Sequence, residues 1–302
     1  MEILVVGSVA FDSIETPFGK KDDVLGGSAT YFSTAASFFA GVQLVAVVGA
    51  DFPDEPRQFL TSRGVDLTGL QTRPGETFRW KGRYGYDLNE AHTLETHLNV
   101  FETFHPQLPQ AYRQAEYVFL ANIDPELQLE VLQQVNRPKL IACDTMNFWI
   151  EGKRDALVKT LGHVDILVIN EAEARQLAEE ANLVKASKQI LAFGPKTLVV
   201  KRGEYGVLVF SEHSIFSAPA YPMEEVFDPT GAGDTFAGGF MGYLAATNNL
   251  NDESIRKATV FGSIMASFTV EDFSLNRLRS LDWTEVEDRF RRFQALTVFA
   301  GL

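Results

Sequence analysis

Apolar positions along the chain follow two alternating periods. The runs Ile3-Leu-Val-Val6 and Leu44-Val-Ala-Val-Val48 are short, continuous and β-branched, as strands buried on both faces are. Between them, Ala29 to Ala40 sets Phe32, Ala35, Ala36 and Phe39 on one helical face, and Gly41 closes that helix. Asp54 is placed to cap a short helix whose early Pro56 suits the first turn. From Tyr117 the rhythm is regular. It predicts strand Tyr117–Ala121, helix Pro125–Val135, strand Leu140–Cys143, helix Asp155–Leu161, strand Ile166–Ile169, helix Glu171–Glu180 and strand Leu198–Val200. That spacing predicts parallel βαβ units with helices on both faces of a sheet. Gly203-Glu-Tyr-Gly206 predicts a turn into Val207–Phe210, an added hairpin, and a late helix runs from Asp252 to about Phe268.

One segment breaks this rhythm. Phe78, Trp80, Gly82, Tyr84 and Tyr86 alternate with Arg79, Lys81 and Arg83, and alternation resumes through Leu94, Thr96, Leu98 and Val100. This predicts a two-stranded excursion that is apolar on one face only, a face that needs a cover. No internal repeat, low-complexity tract or linker divides the chain. Residues 1–302 therefore predict a single α/β domain with a small β excursion.

Composition narrows the partners. The 302 residues are 45% hydrophobic and 22% charged, ordinary for a globular chain, with a net charge of −13. Such acidity argues against nucleic acid and anionic membrane surfaces, so an anionic substrate would need positive charge supplied locally. The single cysteine, Cys143, lies in an apolar run and reads as a buried core thiol; one cysteine excludes a disulfide within the chain. The first residues carry no basic leader and no apolar run reaches membrane-spanning length, so a cytoplasmic location is expected.

The stretch that carries chemistry is Asp228-Pro-Thr-Gly-Ala-Gly-Asp234, followed by Thr-Phe-Ala-Gly-Gly-Phe. A glycine-rich turn runs into an apolar helix, whose first N–H groups are unpaired and partly positive. Glycines let an anion approach that backbone, and Asp234 places a carboxylate at its edge. Together they suit transfer of a phosphoryl group to a hydroxyl: the turn holds charge and the carboxylate takes the proton. The Gly-x4-Gly-Lys-Ser/Thr phosphate loop is absent, and a dinucleotide fingerprint fails at Phe236.

This stretch is similar to the C-terminal signature of the ribokinase-like, or PfkB, carbohydrate kinases, and further matches follow in order from about Ile3 to Met265. The resemblance implies a ribokinase-like three-layer α/β/α sandwich, with a mostly parallel sheet and a small β lid from about residues 12–25 and 77–101. It implies that Asp234 is the general base and that Gly231, Ala232 and Gly233 form the anion hole. Asn170-Glu-Ala-Glu173 resembles the family's Asn-x-x-Glu motif, which organises Mg²⁺ through water and nucleotide phosphates; by itself the same pair is a helix cap with a first-turn acid. Lys201-Arg-Gly-Glu-Tyr-Gly206 resembles the nucleotide-contacting turn. ATP would then lie along Gly203, Gly206 and Thr230, with Lys201 either on a phosphate or solvated at a strand end. Asp12 and the pair Gly26-Gly27 match the acceptor-binding positions. A monovalent cation such as K⁺ near Asp228 and Thr230, and a homodimer joined through the lid, are also common in the family.

Departures from the pattern fall on the acceptor side. Ribokinases proper have asparagine where Ala10 stands, and lysine and asparagine in the stretch held here by Ser28, Thr30 and Tyr31. The Asp-Pro-Asn-x-Arg motif of many relatives reads Asp144-Thr-Met-Asn-Phe-Trp149, without the arginine. The expected function is an ATP- and Mg²⁺-dependent kinase acting on a hydroxyl of a sugar or related small polyol. The alternatives are a nucleoside kinase, with Phe11, Phe18 or Tyr31 stacking on the base, and a non-catalytic sugar- or nucleotide-binding protein.

Overall fold

The predicted central strands are apolar on both sides because helices lie above and below them. The chain opens with β1 (Glu2–Val6), β2 (Ala10–Thr16), β3 (Gly19–Gly26), α1 (Ser28–Ala36), β4 (Gly41–Gly49), α2 (Asp54–Ser62), β5 (Val65–Arg73), β6 (Phe78–Tyr84) and β7 (Ala91–His97). It continues with β8 (Tyr117–Leu120), α3 (Pro125–Leu132), β9 (Leu140–Cys143), α4 (Asn147–Gly152), α5 (Arg154–Leu161), β10 (Ile166–Asn170), α6 (Glu171–Ala178), α7 (Leu183–Leu191) and β11 (Thr197–Lys201). The last elements are β12 (Val207–Ser211), β13 (Ile215–Ala218), α8 (Ala232–Thr247), α9 (Asp252–Thr269), α10 (Asn276–Ser280) and α11 (Trp283–Thr297). The computed structural model describes residues 1–298, so the end of the domain expected to reach residue 302 lies outside the described residues.

Nine strands form one sheet in the order β13-β12-β11-β10-β9-β8-β1-β4-β5. From β11 to β5 every neighbouring pair is parallel, and β12 and β13 add an antiparallel edge. Successive residues point to opposite faces, so one strand feeds two cores. Ile3 and Val5 join a core with Phe32 of α1, Phe236 and Phe240 of α8, and Met265 of α9. Leu4 and Val6 join the other, with Val131, Leu157, Leu177 and Ile190 of α3, α5, α6 and α7. The result is the three-layer α/β/α arrangement.

A second sheet, in the order β3-β2-β6-β7, stands apart as the small lid. Its inner face carries Ile14, Tyr84, Val24 and Trp80, which pack with Leu88, Phe227 and Phe273. The opposite face carries ion pairs, among them Lys81–Glu95 at 2.6 Å and Arg83–Glu15 at 3.1 Å. Part of the cover that the one-sided apolar pattern calls for is thus supplied by the same chain, while Leu94 and Leu98 stay exposed. Two smaller expectations also change. Pro53 is the N-cap of α2 and Asp54 its first helical residue, where the helix dipole favours an acid. The helix expected to run to Ala40 ends at Ala36.

Candidate active site

Ligands of open α/β sheets sit beyond the carboxyl ends of the strands, and the reactive side chains converge there. Asp144 follows β9 directly, while Asn170 and Lys201 end β10 and β11 as paired neighbours. The N-terminus of α8 points at the same place. Its N-cap, Gly231, is left-handed at φ +74°, and no side chain caps the helix. The Ala232 N–H returns to Pro229 O at 3.2 Å, so it is already committed within the turn. Space is tight at both glycines. A Cβ on Gly231 would lie 2.4 Å from the Tyr31 ring, and one on Gly233 would lie 2.8 Å from Lys201 Nζ. Asp234 stands in the first turn just behind them.

Lys201 is not a solvated strand-end lysine. Its Nζ lies 3.4 Å from Asp144 Oδ2, and the two side chains are only 17% and 7% exposed. Asp144 is a site residue that the sequence reading passed over while noting the missing arginine beside it; its place at the end of a buried strand was the available signal. Its other oxygen accepts the Thr145 N–H at 2.8 Å, and Gln128 Nε2 anchors its carbonyl at 3.0 Å. Burial by itself would push the Lys201 ammonium down, yet Asp144, Glu173 and Asp234 hold it above its ordinary value. Burial, with repulsion from Asp144, pushes Asp234 up to about 7 against the pull of Lys201. A carboxylate there is therefore a base poised near neutrality.

Asn170 and Glu173 form a capping box at the start of α6: Asn170 Oδ1 accepts the Glu173 N–H and Glu173 Oε2 accepts the Asn170 N–H, each at 2.8 Å. The cap reading of this pair is thus realised, and it uses only one of the two carboxylate oxygens of Glu173. Burial and Asp144 push Glu173 up to about 7, an acid that favours a nearby cation. Among the described residues no three His, Cys, Asp or Glu side chains gather as a metal site. The donor set therefore fits a divalent ion held mainly by phosphates and water, and does not fit direct chelation.

Asp12 is buried on β2, and burial pushes it up to about 7, with the Gly27 backbone opposing and Asp228 and Asp234 adding to the rise. The Gly26-Gly27 pair exists for this carboxylate. A Cβ on Gly26 would lie 1.9 Å from Asp12 Oδ2, and Gly27, at φ +94°, would drive a side chain into the backbone of Ser8. Thr230, expected along the nucleotide, donates its hydroxyl to the lid's Tyr84 at 3.3 Å. Asp228 spends its two oxygens on the N–H groups of Thr230 and Ser274 at 2.9 and 3.0 Å, which ties the catalytic turn to the loop after α9. Tyr31 is buried with its hydroxyl unpartnered, near Asp228, Asp12, Tyr84 and Asp234.

Gly203 and Gly206 form the turn between β11 and β12, with positive φ of +54° and +86°. The tip of the lid reaches it: a Cβ on Gly203 would lie 1.6 Å from Asn89 Oδ1. One lid thus reaches from Asp12 on β2 to the Gly203–Gly206 turn.

Comparison with known proteins matches residues 19–278 to the pfkB family carbohydrate kinase. A cytidine kinase from Thermococcus kodakarensis is 34% identical over 248 residues, covering 80% of this chain and 87% of that protein. Among solved structures, the Methanocaldococcus jannaschii nucleoside kinase superposes with a TM-score of 0.77 at 21% identity, covering 96% of this chain and 98% of that one. A protein from E. coli solved in complex with ATP and Mg²⁺ superposes with a TM-score of 0.78 at 19% identity, covering 96% of this chain and 99% of that one. Among the described residues no helix is long and apolar enough to cross a membrane.

Proposed function

The chain belongs to the pfkB family of carbohydrate kinases, and from that premise we propose that it transfers the γ-phosphoryl group of ATP to a hydroxyl of a nucleoside. The observation that carries the acceptor class is the 34% identity to a cytidine kinase over 80% of this chain. The sequence alone put a sugar or polyol first and a nucleoside second; the relatives reverse that order. Ala10 in place of the ribokinase asparagine supports the same reading.

In this reading Asp12 accepts hydrogen bonds from two neighbouring ribose hydroxyls, which suits a carboxylate with two oxygens. The primary hydroxyl is then the one free to turn toward Asp234. Asp234 takes its proton as the oxygen attacks phosphorus. Lys201 and the N–H groups of the Gly231–Gly233 turn steady the charge on the transferring group. Gly203 and Gly206 bring backbone close to the nucleotide. Asn170 and Glu173 would hold Mg²⁺ through water, where it would neutralise charge across the phosphates. The lid, fastened by Tyr84 to Thr230, excludes water that would compete as acceptor.

The test is a phosphorylation panel with ATP and Mg²⁺, comparing cytidine, uridine, adenosine and inosine with ribose and inositol. At least one nucleoside is expected to exceed ribose in kcat/KM by roughly 100-fold. Phosphorylation of free sugars with every nucleoside inert overturns the proposal.

A further inference from the structure

We infer that Trp80 is the surface on which the base of the acceptor stacks, an inference that rests on the nucleoside reading above. β2 and β6 run parallel with Asp12 opposite Trp80. The indole and the carboxylate therefore rise from one face as cross-strand neighbours, with their backbones about 5 Å apart. That face looks into the cleft, since Tyr84 further along it meets Thr230 of the catalytic turn. A ribose whose hydroxyls reach Asp12 brings its base alongside the indole.

The ring is held flat before any ligand arrives. Gly82 follows on the same face and leaves room for it; a Cβ there would lie 2.0 Å from the indole. The Nε1–H group donates to Thr93 Oγ1 at 3.2 Å. One face of the ring rests on the strand, the polar edge is satisfied, and the side chain stays half-exposed. An aromatic fixed in this way loses little freedom when a base settles on it.

Of the aromatics expected from the sequence, Phe11 and Phe18 are placed elsewhere and Tyr31 is buried within the site. Phe11 points to the opposite face of the lid, where it packs on Phe52 at 5.7 Å under the Arg79 guanidinium. Phe18 stands edge-on to Phe227 at the outer turn, 6.4 Å between ring centres. Tyr31 is buried against Gly231. Stacking requires only a π-face, which every base has, so Trp80 selects nucleosides over free sugars without choosing among bases.

The test compares steady-state kinetics of wild type, Trp80→Ala, Trp80→Phe and Thr93→Val. In Trp80→Ala the nucleoside KM is expected to rise roughly tenfold or more for purine and pyrimidine nucleosides alike, with kcat changed much less. Trp80→Phe, which keeps a ring, recovers most of the loss. Thr93→Val, which only unpins the indole and keeps the chain folded if Trp80→Ala does not, raises KM roughly two- to fivefold. Nucleoside KM unchanged in Trp80→Ala, or in Thr93→Val if the alanine variant fails to fold, overturns the inference and leaves nucleoside phosphorylation standing. A wild type inert toward nucleosides overturns the reading beneath it instead.

Discussion

Lys201 Nζ lies 3.4 Å from Asp144 Oδ2, a buried pair at the carboxyl ends of β11 and β9. Glu173 and Asp234 add their charge to Lys201 from the neighbouring elements. The lysine is the local cation that an anionic substrate requires in a chain of net charge −13. Removing one member of such a pair strands the other in a poor solvent for charge.

Lys201→Met is therefore expected to lose both activity and stability. The kcat should fall at least roughly 100-fold, the scale of losing one preorganised charge at a phosphoryl transfer site. Thermal denaturation without ligand should show a lowered Tm, since Asp144 is left buried and unpaired. A variant with normal kcat would remove Lys201 from the site.

Asp144→Asn separates charge from shape. Repulsion from Asp144 is the second cause, after burial, of the raised pKa of Asp234. Deleting that charge should move the acid limb of the kcat/KM profile, which reports the free enzyme, to lower pH. In wild type the limb should lie near pH 7, the value to which Asp234 is pushed, with the rate rising as the base loses its proton. Coincident profiles in wild type and variant would contradict this account.

Asp234→Asn should fold normally while kcat falls by roughly 10²–10⁴-fold, the usual worth of a positioned base. Nucleotide affinity, read by calorimetry with a non-hydrolysable ATP analogue, should change little.

The same burial makes the unliganded chain acid-stabilised in a particular window. Asp12, Asp234 and Glu173 are each pushed to about 7, above their ordinary values of 3.8, 3.8 and 4.5. Between the ordinary value and 7 the folded state binds more protons than the unfolded one, so stability falls as pH rises through that range. Without ligand, Tm should climb as pH is lowered from about 8 to about 5, at about 2–4 °C for each kcal/mol gained. Asp234→Asn should flatten the slope. A Tm that drops steadily over that range, in wild type, would contradict the burial argument.

Gly26→Ala tests the acceptor side alone. Its Cβ would lie 1.9 Å from Asp12 Oδ2, so the carboxylate must move. The acceptor KM should rise roughly tenfold or more, because a misplaced hydrogen-bonding group loses the geometry it was built for. Affinity for the ATP analogue should hold. Equal losses on both substrates would point to general disruption instead.

Much of the frame was legible because its signals are local. Central strands such as Ile166–Asn170 are continuous apolar runs, and the glycines of the catalytic turn sit where a helix start needs open backbone. Among the elements that escaped prediction, β5 has only Val65 and Gly69 buried, so its alternation is lost. The capping box at Asn170 was legible for the same reason, since both partners lie within one turn.

The sequence by itself determined the reaction class, because the catalytic turn, the Asn170–Glu173 pair and the Gly203–Gly206 turn are contiguous and their chemistry is set by neighbours in the chain. Only the tertiary structure decided which side chains share the cleft. Lys201 meets Asp144 across 57 residues, Trp80 stands beside Asp12 through the register of β2 and β6, and Phe11 turns away by one step of the same strand. Alternation along a strand sends adjacent side chains to opposite faces, and which face meets the cleft depends on how the lid sheet packs on the body. That packing is a long-range matter, and no local pattern encodes it.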